Sequence, residues 1–205
     1  MTSHALYIRR RLLVVVLTLL LVAALAFVAK LGVDVVNGTP LVPLAGGGSS
    51  PAGASGDGEI AEGETVLVTD VAHPALANLD PELLAAIQRA AADAGAEDIP
   101  FRVTSGWRSP EYQARLLSEA VDDYGSEEEA RRWVSTPETS LHVSGDAIDI
   151  GDFDATYWLS LEGARYGLCQ IYANERWHFE LRPEAITEGC PEQYLDPTYD
   201  PRMRS

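Results

Sequence analysis

Basic residues are scarce in this chain. Lys and Arg number 15 against 31 Asp and Glu, a formal net charge of −16 at pH 7, and Lys30 is the single lysine. A surface of that sign repels phosphate backbones, which excludes nucleic acid as a partner. The acidic balance otherwise describes a solvated, soluble face. Internal repeats are absent. Cysteine is nearly so, with only Cys169 and Cys190. Histidine is rare as well, at four residues, so each one can be weighed separately.

Long apolar runs are also missing, with one exception at the amino end. Arg9, Arg10 and Arg11 precede an apolar run over residues 12–29, interrupted only by Thr18. At 1.5 Å per residue such a run spans about 27 Å as a helix, close to the hydrocarbon core of a bilayer. The arginine cluster keeps its own side cytoplasmic, so the rest of the chain is placed outside. A cleaved signal peptide is the rival reading, because Ala24, Ala26 and Ala29 supply small residues near the end of the run. The length of the run, and Leu and Val continuing nearly to its end, favour an uncleaved anchor. Either reading exports the carboxyl-terminal part of the chain, and in an oxidising compartment Cys169 and Cys190 are expected to pair. The closed loop of about 20 residues is worth about 3 kcal/mol.

Residues 37–58 are dominated by Gly, Ser, Pro and Ala and carry no apolar period, the signature of a flexible tether. The expected organisation is a cytoplasmic stretch over 1–11, a transmembrane anchor over 12–29, a linker over 30–63 and one domain over 64–205. Within that domain Asp80-Pro81-Glu82 and Ser109-Pro110-Glu111 both read as helix starts, an acceptor followed by proline and an acid. Leu83, Leu84, Ile87 and Ala91 give the first helix an apolar stripe, and Tyr112, Leu116 and Val121 the second. Strands are expected over 101–104, 147–150, 168–172 and 177–181, a loop over 135–144, and a helix from Asp154 to Tyr166. Strands and helices mix without regular βαβ alternation, so the fold class is α+β rather than doubly wound.

The chemistry-bearing residues concentrate in two stretches. His142 and Asp149 lie in Ser140-Leu141-His142-Val143-Ser144-Gly145-Asp146-Ala147-Ile148-Asp149, and Glu175 precedes Trp177-His178. A hydrolytic zinc site needs three His or carboxylate ligands, an open fourth position, a separate carboxylate to take a proton and a cation for the oxyanion. Strand alternation turns Ala147 and Asp149 one way and Ile148 and Ile150 toward a core. Glu175 and His178 are three apart and face opposite sides of a regular strand. They converge only if a turn or bulge separates them, and Asn174 makes a turn plausible. His4 and His73 are given no role. Asp146, Asp152, Asp154 and Glu180 are read as solvated, capping or supporting groups.

Ser140-x-His142-x-x-Gly145-x-Ala147-x-Asp149, followed by Glu175-x-Trp177-His178, resembles the zinc D-alanyl-D-alanine carboxypeptidases and dipeptidases associated with vancomycin resistance. Ser105-Gly106-Trp107-Arg108-Ser109 is similar to a further segment of that family. The resemblance covers about residues 80–181. It implies one zinc per chain held by His142, Asp149 and His178, with Glu175 as general base, Arg108 as oxyanion-stabilising cation and Ser140 lining the substrate site. It also implies a small α+β domain whose antiparallel sheet carries the metal, flanked by helices. The expected activity is that of an extracytoplasmic metallopeptidase removing the terminal D-Ala from peptidoglycan peptides. A cross-link endopeptidase and a catalytically silent wall-binding module remain as alternatives.

Overall fold

The computed structural model of the chain describes residues 56–203. The expected cytoplasmic stretch and transmembrane anchor lie outside the described residues. No helix among the described residues is long and apolar enough to cross a membrane.

In chain order the elements are β1 (Val66–Leu67), α1 (Pro74–Ala77), α2 (Pro81–Gly95), β2 (Arg102–Ser105), α3 (Pro110–Tyr124), α4 (Glu127–Ala130), α5 (Leu141–Ser144), β3 (Ala147–Ile150) and α6 (Phe153–Glu162). A 3₁₀ turn, Gly163–Tyr166, leads into β4 (Leu168–Gln170) and β5 (His178–Leu181). After α7 (Ala185–Glu188) the described residues end in the 3₁₀ turns Pro197–Tyr199 and Pro201–Met203. The helix starts follow from their caps. Asp80 Oδ1 accepts from the amides of Glu82 and Leu83 at 2.8 and 3.0 Å, and Ser109 Oγ accepts from that of Tyr112 at 3.1 Å. Each cap satisfies amides that have no partner within the helix.

The five strands form one antiparallel sheet in the order β1-β2-β3-β5-β4, an α+β architecture with the two strands richest in functional residues at its centre. Strand alternation sorts the side chains. Val103, Ile148, Ile150, Leu168 and Phe179 enter a core with Leu83, Ala86, Ile87 and Ala90 of α2 and Trp158 and Leu159 of α6. Each large aliphatic side chain buried there contributes about 1.5–3 kcal/mol. Ala147, Asp149, His178 and Glu180 belong to the other face, and β3 and β5 pair Asp149 with His178 and Ala147 with Glu180.

Several sequence expectations change in detail. The buried stripe of α2 is Leu83, Ala86, Ile87, Ala90 and Ala94, while Leu84 and Ala91 are half-buried. In α3 the fully buried residues are Gln113 and Ala120. The expected loop over 135–144 ends in the helical turn α5, and α6 begins at Phe153 with Asp152 before it. Residues 56–63, assigned to the linker on composition, carry contacts with the domain. Asp57 O accepts from Ser109 N at 2.8 Å, Glu59 pairs with Arg115 at 2.9 Å and Ile60 packs on the core.

Candidate metal centre

Three elements bring the site together. His142 sits on α5, Asp149 in the middle of β3 and His178 at the start of β5, directly opposite Asp149 in the sheet register. Two glycines make this approach feasible. Gly145 closes α5 at φ +84°, and a Cβ there would meet Asn78 O at 2.5 Å, so the turn needs a residue without one. Gly106 lies so close to α1 that a Cβ would meet Ala75 O at 2.2 Å, and its own carbonyl reaches His142. The segment after β2 is further laced to α5, with Arg108 N donating to His142 O at 3.1 Å and Trp107 Nε1 to Val143 O at 3.1 Å.

His142 Nε2, His178 Nδ1 and Asp149 Oδ1 form a nearly equilateral triangle with sides of 3.3, 3.3 and 3.4 Å. A tetrahedral ion with bonds of about 2.0–2.1 Å sets its ligand atoms about 3.3–3.4 Å apart, so the triangle has the size of one zinc face. The outer ring nitrogens agree with this. His142 Nδ1 is 2.8 Å from Gly106 O, a pure acceptor, so Nδ1 carries the proton and the Nε2 lone pair faces the triangle. His178 Nε2 faces Glu180 Oε1 at 3.3 Å and leaves its Nδ1 lone pair for the triangle. All three residues are buried, and Asp149 Oδ1 has no hydrogen-bond partner, an atom that buried polar chemistry rarely leaves idle. The donor types, spacing and orphaned oxygen fit a single zinc ion.

Electrostatics divide the group. Burial pushes His142 below its ordinary value, which favours the neutral ring that ligates. Burial alone would raise Asp149, but the flanking histidines hold it below the carboxylate range. Burial also works against protonated His178, yet the neighbouring carboxylates of Asp149 and Glu180 outweigh it and raise the group to about 10.

Glu175 stands beside the triangle. Glu175 N donates to Tyr172 O at 3.3 Å and His178 N to Glu175 O at 3.1 Å, the turn that the three-residue spacing required. Glu175 Oε2 lies 3.8 Å from His178 Nδ1, and Oε1 is buried without a hydrogen-bond partner. Burial raises this carboxyl to about 7. Arg108 lies on the other side, donating to Ser105 Oγ at 2.8 Å, Gln113 Oε1 at 3.1 Å and Asp149 Oδ2 at 3.2 Å. A register irregularity between β2 and β3 sets Ser105 opposite Asp149 for that contact. Ser140 is buried at the start of α5, makes no capping bond and lines the same small cavity, of about 50 Å³, with Arg108, Tyr172, Glu175 and Trp177.

Every expected site residue therefore reaches one place. His73 instead caps α1 through Nδ1, Asp146 accepts from Ser144 and Asp152 pairs with Arg102. Sequence reasoning does not single out Gln113 or Tyr172, and it leaves Glu180 without a definite position. Glu180 is within reach of strand alternation, being two residues from His178 on the same face. The expected disulfide is present, joining Cys169 to Cys190 with a Cα–Cα distance of 5.5 Å.

The family model for VanY, D-alanyl-D-alanine carboxypeptidase, matches residues 76–184. A D-alanyl-D-alanine carboxypeptidase of Enterococcus faecalis is 29% identical over 125 residues, which is 46% of this chain and 47% of that protein. The chain thus spans about half the length of that relative. The structure of VanYB in complex with D-alanine-D-alanine superposes with a TM-score of 0.50 at 24% identity, covering 54% of this chain and 78% of that one. That of a vancomycin-resistance D,D-pentapeptidase VanY variant in complex with Zn(II) gives 0.48 at 26% identity, covering 50% and 72%. With more than half of its residues matched by the family model, and the motif residues assembled around one metal-sized triangle, this chain belongs to the VanY D-alanyl-D-alanine carboxypeptidase family.

Proposed function

We propose that this chain is an extracytoplasmic zinc metallopeptidase that removes the terminal D-Ala from peptidoglycan peptides ending in D-Ala-D-Ala. The observation that carries the reading is the combination of a buried three-donor triangle with a separate, unpartnered carboxylate at Glu175 and a fixed cation at Arg108. Family membership supplies the substrate class. A zinc ion held by His142, Asp149 and His178 would supply Lewis acidity toward the scissile carbonyl and would acidify water. Glu175 receives the water proton on its free oxygen and passes it to the leaving amine; its raised value near 7 suits both directions of transfer. Arg108, held on three sides, presents its guanidinium to the oxygen on which charge develops. Ser140 contacts the peptide at the cavity wall.

The location is part of the same proposal. The Arg9–Arg11 cluster ahead of the apolar run over 12–29 supports a single-pass anchor with the domain outside. The Cys169–Cys190 disulfide suits an oxidising compartment. Glu175→Gln tests the chemistry. Zinc content should stay that of the parent, and turnover of a linear pentapeptide should fall by about 10²–10⁴-fold. A zinc-replete variant within about threefold of the parent rate removes Glu175 from the mechanism. Weighing the products from linear and cross-linked peptides separates carboxypeptidase from endopeptidase: loss of one alanine means the former, and scission of the cross-link the latter.

A further inference from the structure

The family match ends at residue 184, yet the chain continues as a carboxyl-terminal arm that returns to the metal centre. The arm is fastened at three points on its way. Cys190 is bonded to Cys169 on β4. Tyr194 N donates to Ile171 O and Ala173 N to Tyr194 O, both at 2.9 Å. Asp196 accepts from Arg132 Nε at 3.0 Å. Beyond these points Arg202 turns inward. Its Nη1 donates to Glu180 Oε2 at 2.8 Å and its Nη2 to Glu180 Oε1 at 3.3 Å. The guanidinium is itself gripped by Asp200, which also accepts from Tyr172 OH at 2.9 Å.

Glu180 is fully buried and faces His178 Nε2 through Oε1. We infer that Arg202 is a positioning residue for the metal ligand His178, acting through Glu180, so that the arm outside the family match forms part of the metal site. The physical reason is geometric. A carboxylate in a buried space turns about its last torsion unless both oxygens are held. A forked guanidinium holds both, in one plane, as a single ammonium cannot. With Glu180 so fixed, Oε1 stays on the His178 Nε2 proton and the imidazole keeps Nδ1 aimed at the triangle. Arg182 also reaches Glu180 Oε2, but from the residue just after the strand and on one oxygen only, so it cannot set the plane alone.

The inference rests on the zinc reading, and the test separates the two. Zinc affinity of the full chain is measured by competition with a chromogenic chelator for the parent, Glu180→Gln, Arg202→Gln and the two combined. The absorption of the cobalt-loaded proteins is recorded alongside. Outer-shell partners of a ligating histidine typically change metal affinity by about 10–100-fold. Glu180→Gln should weaken zinc within that range and Arg202→Gln by about tenfold, its lower end, because Arg182 remains. The combined variant should be no weaker than Glu180→Gln alone, and the cobalt bands should shift in all three. Should Arg202→Gln fail to fold, Asp200→Asn with Arg202→Gln removes both charges of that ion pair together and carries the same expectation. Parental affinity in the folded Arg202 variants, or losses that multiply in the combined variant, overturns the inference while leaving the zinc site standing. A parent chain that binds no zinc overturns the metal reading and the inference with it.

Discussion

The two faces of one short strand do different work. On β3, Ile148 and Ile150 lie fully buried among Leu83, Ile87 and Phe179, where nothing but packing is at stake. One residue away, Asp149 is also buried but carries a charge, an oxygen without a hydrogen-bond partner that two histidine nitrogens approach, and an ion pair with an arginine. The neighbour β5 repeats the division, with Phe179 in the core and His178 and Glu180 on the polar face. A strand that alternates at period two can hold its ligands rigidly because the opposite face is anchored in a close-packed interior. Stability and chemistry are thus carried by adjacent residues on opposite sides, and substitutions should separate them.

The largest effect belongs to the polar face. His142→Ala and His178→Ala each remove a ligand, and dialysed protein should lose most of its zinc while keeping its fold. Elemental analysis with circular dichroism on the same preparation checks this; full zinc in both variants would mean that the triangle is not the metal site. Next comes the apolar face. Ile148→Ala leaves a cavity in the core and should cost about 2–5 kcal/mol of stability, read by denaturant unfolding. Its folded fraction should still bind zinc as the parent does. Loss of zinc there would show that the two faces are not separable.

The polar face is readable in the sequence because its residues are chemically rare. With four histidines in the chain, two of them with a carboxylate at short spacing stand out, and alternation along residues 147–150 assigns each side chain a face. That Glu175 and His178 can converge only across a turn or bulge follows from their three-residue spacing. Other parts give weaker signals. Alanines at 86, 90 and 94 carry the α2 stripe, and alanine marks a buried position far less clearly than leucine does. The α5 turn has no apolar period; tertiary bonds from Asp80 N to Gly145 O and from Arg108 N to His142 O hold it in place. Gln113 occupies an inward helical position with a polar side chain, which hydrophobic periodicity cannot flag. The grip of Arg202 on Glu180 joins residues 22 apart across an arm with little regular structure, and no local pattern announces it.

Gly145 is where the two faces meet through the backbone, and it should blur the separation by a smaller amount. Its carbonyl accepts from Asp80 N at 2.9 Å, tying the cap of the core helix α2 to the turn that delivers His142. Its φ of +84° is unfavourable for any residue with a Cβ, and that atom would stand 2.5 Å from Asn78 O, a backbone oxygen with little freedom to retreat. Gly145→Ala should therefore cost about 1–3 kcal/mol of stability, the usual range for a residue held in a strained conformation. Relief of the contact requires the α5–β3 turn to move, and His142 moves with it. Zinc affinity should consequently fall together with stability, unlike Ile148→Ala, where only stability falls, and unlike the histidine variants, where only zinc is lost. Unfolding and chelator competition on one preparation distinguish the three patterns. A Gly145→Ala protein that loses stability but binds zinc at the parent's affinity would show that the turn yields without displacing its ligand, and that the coupling between the faces does not pass through this residue.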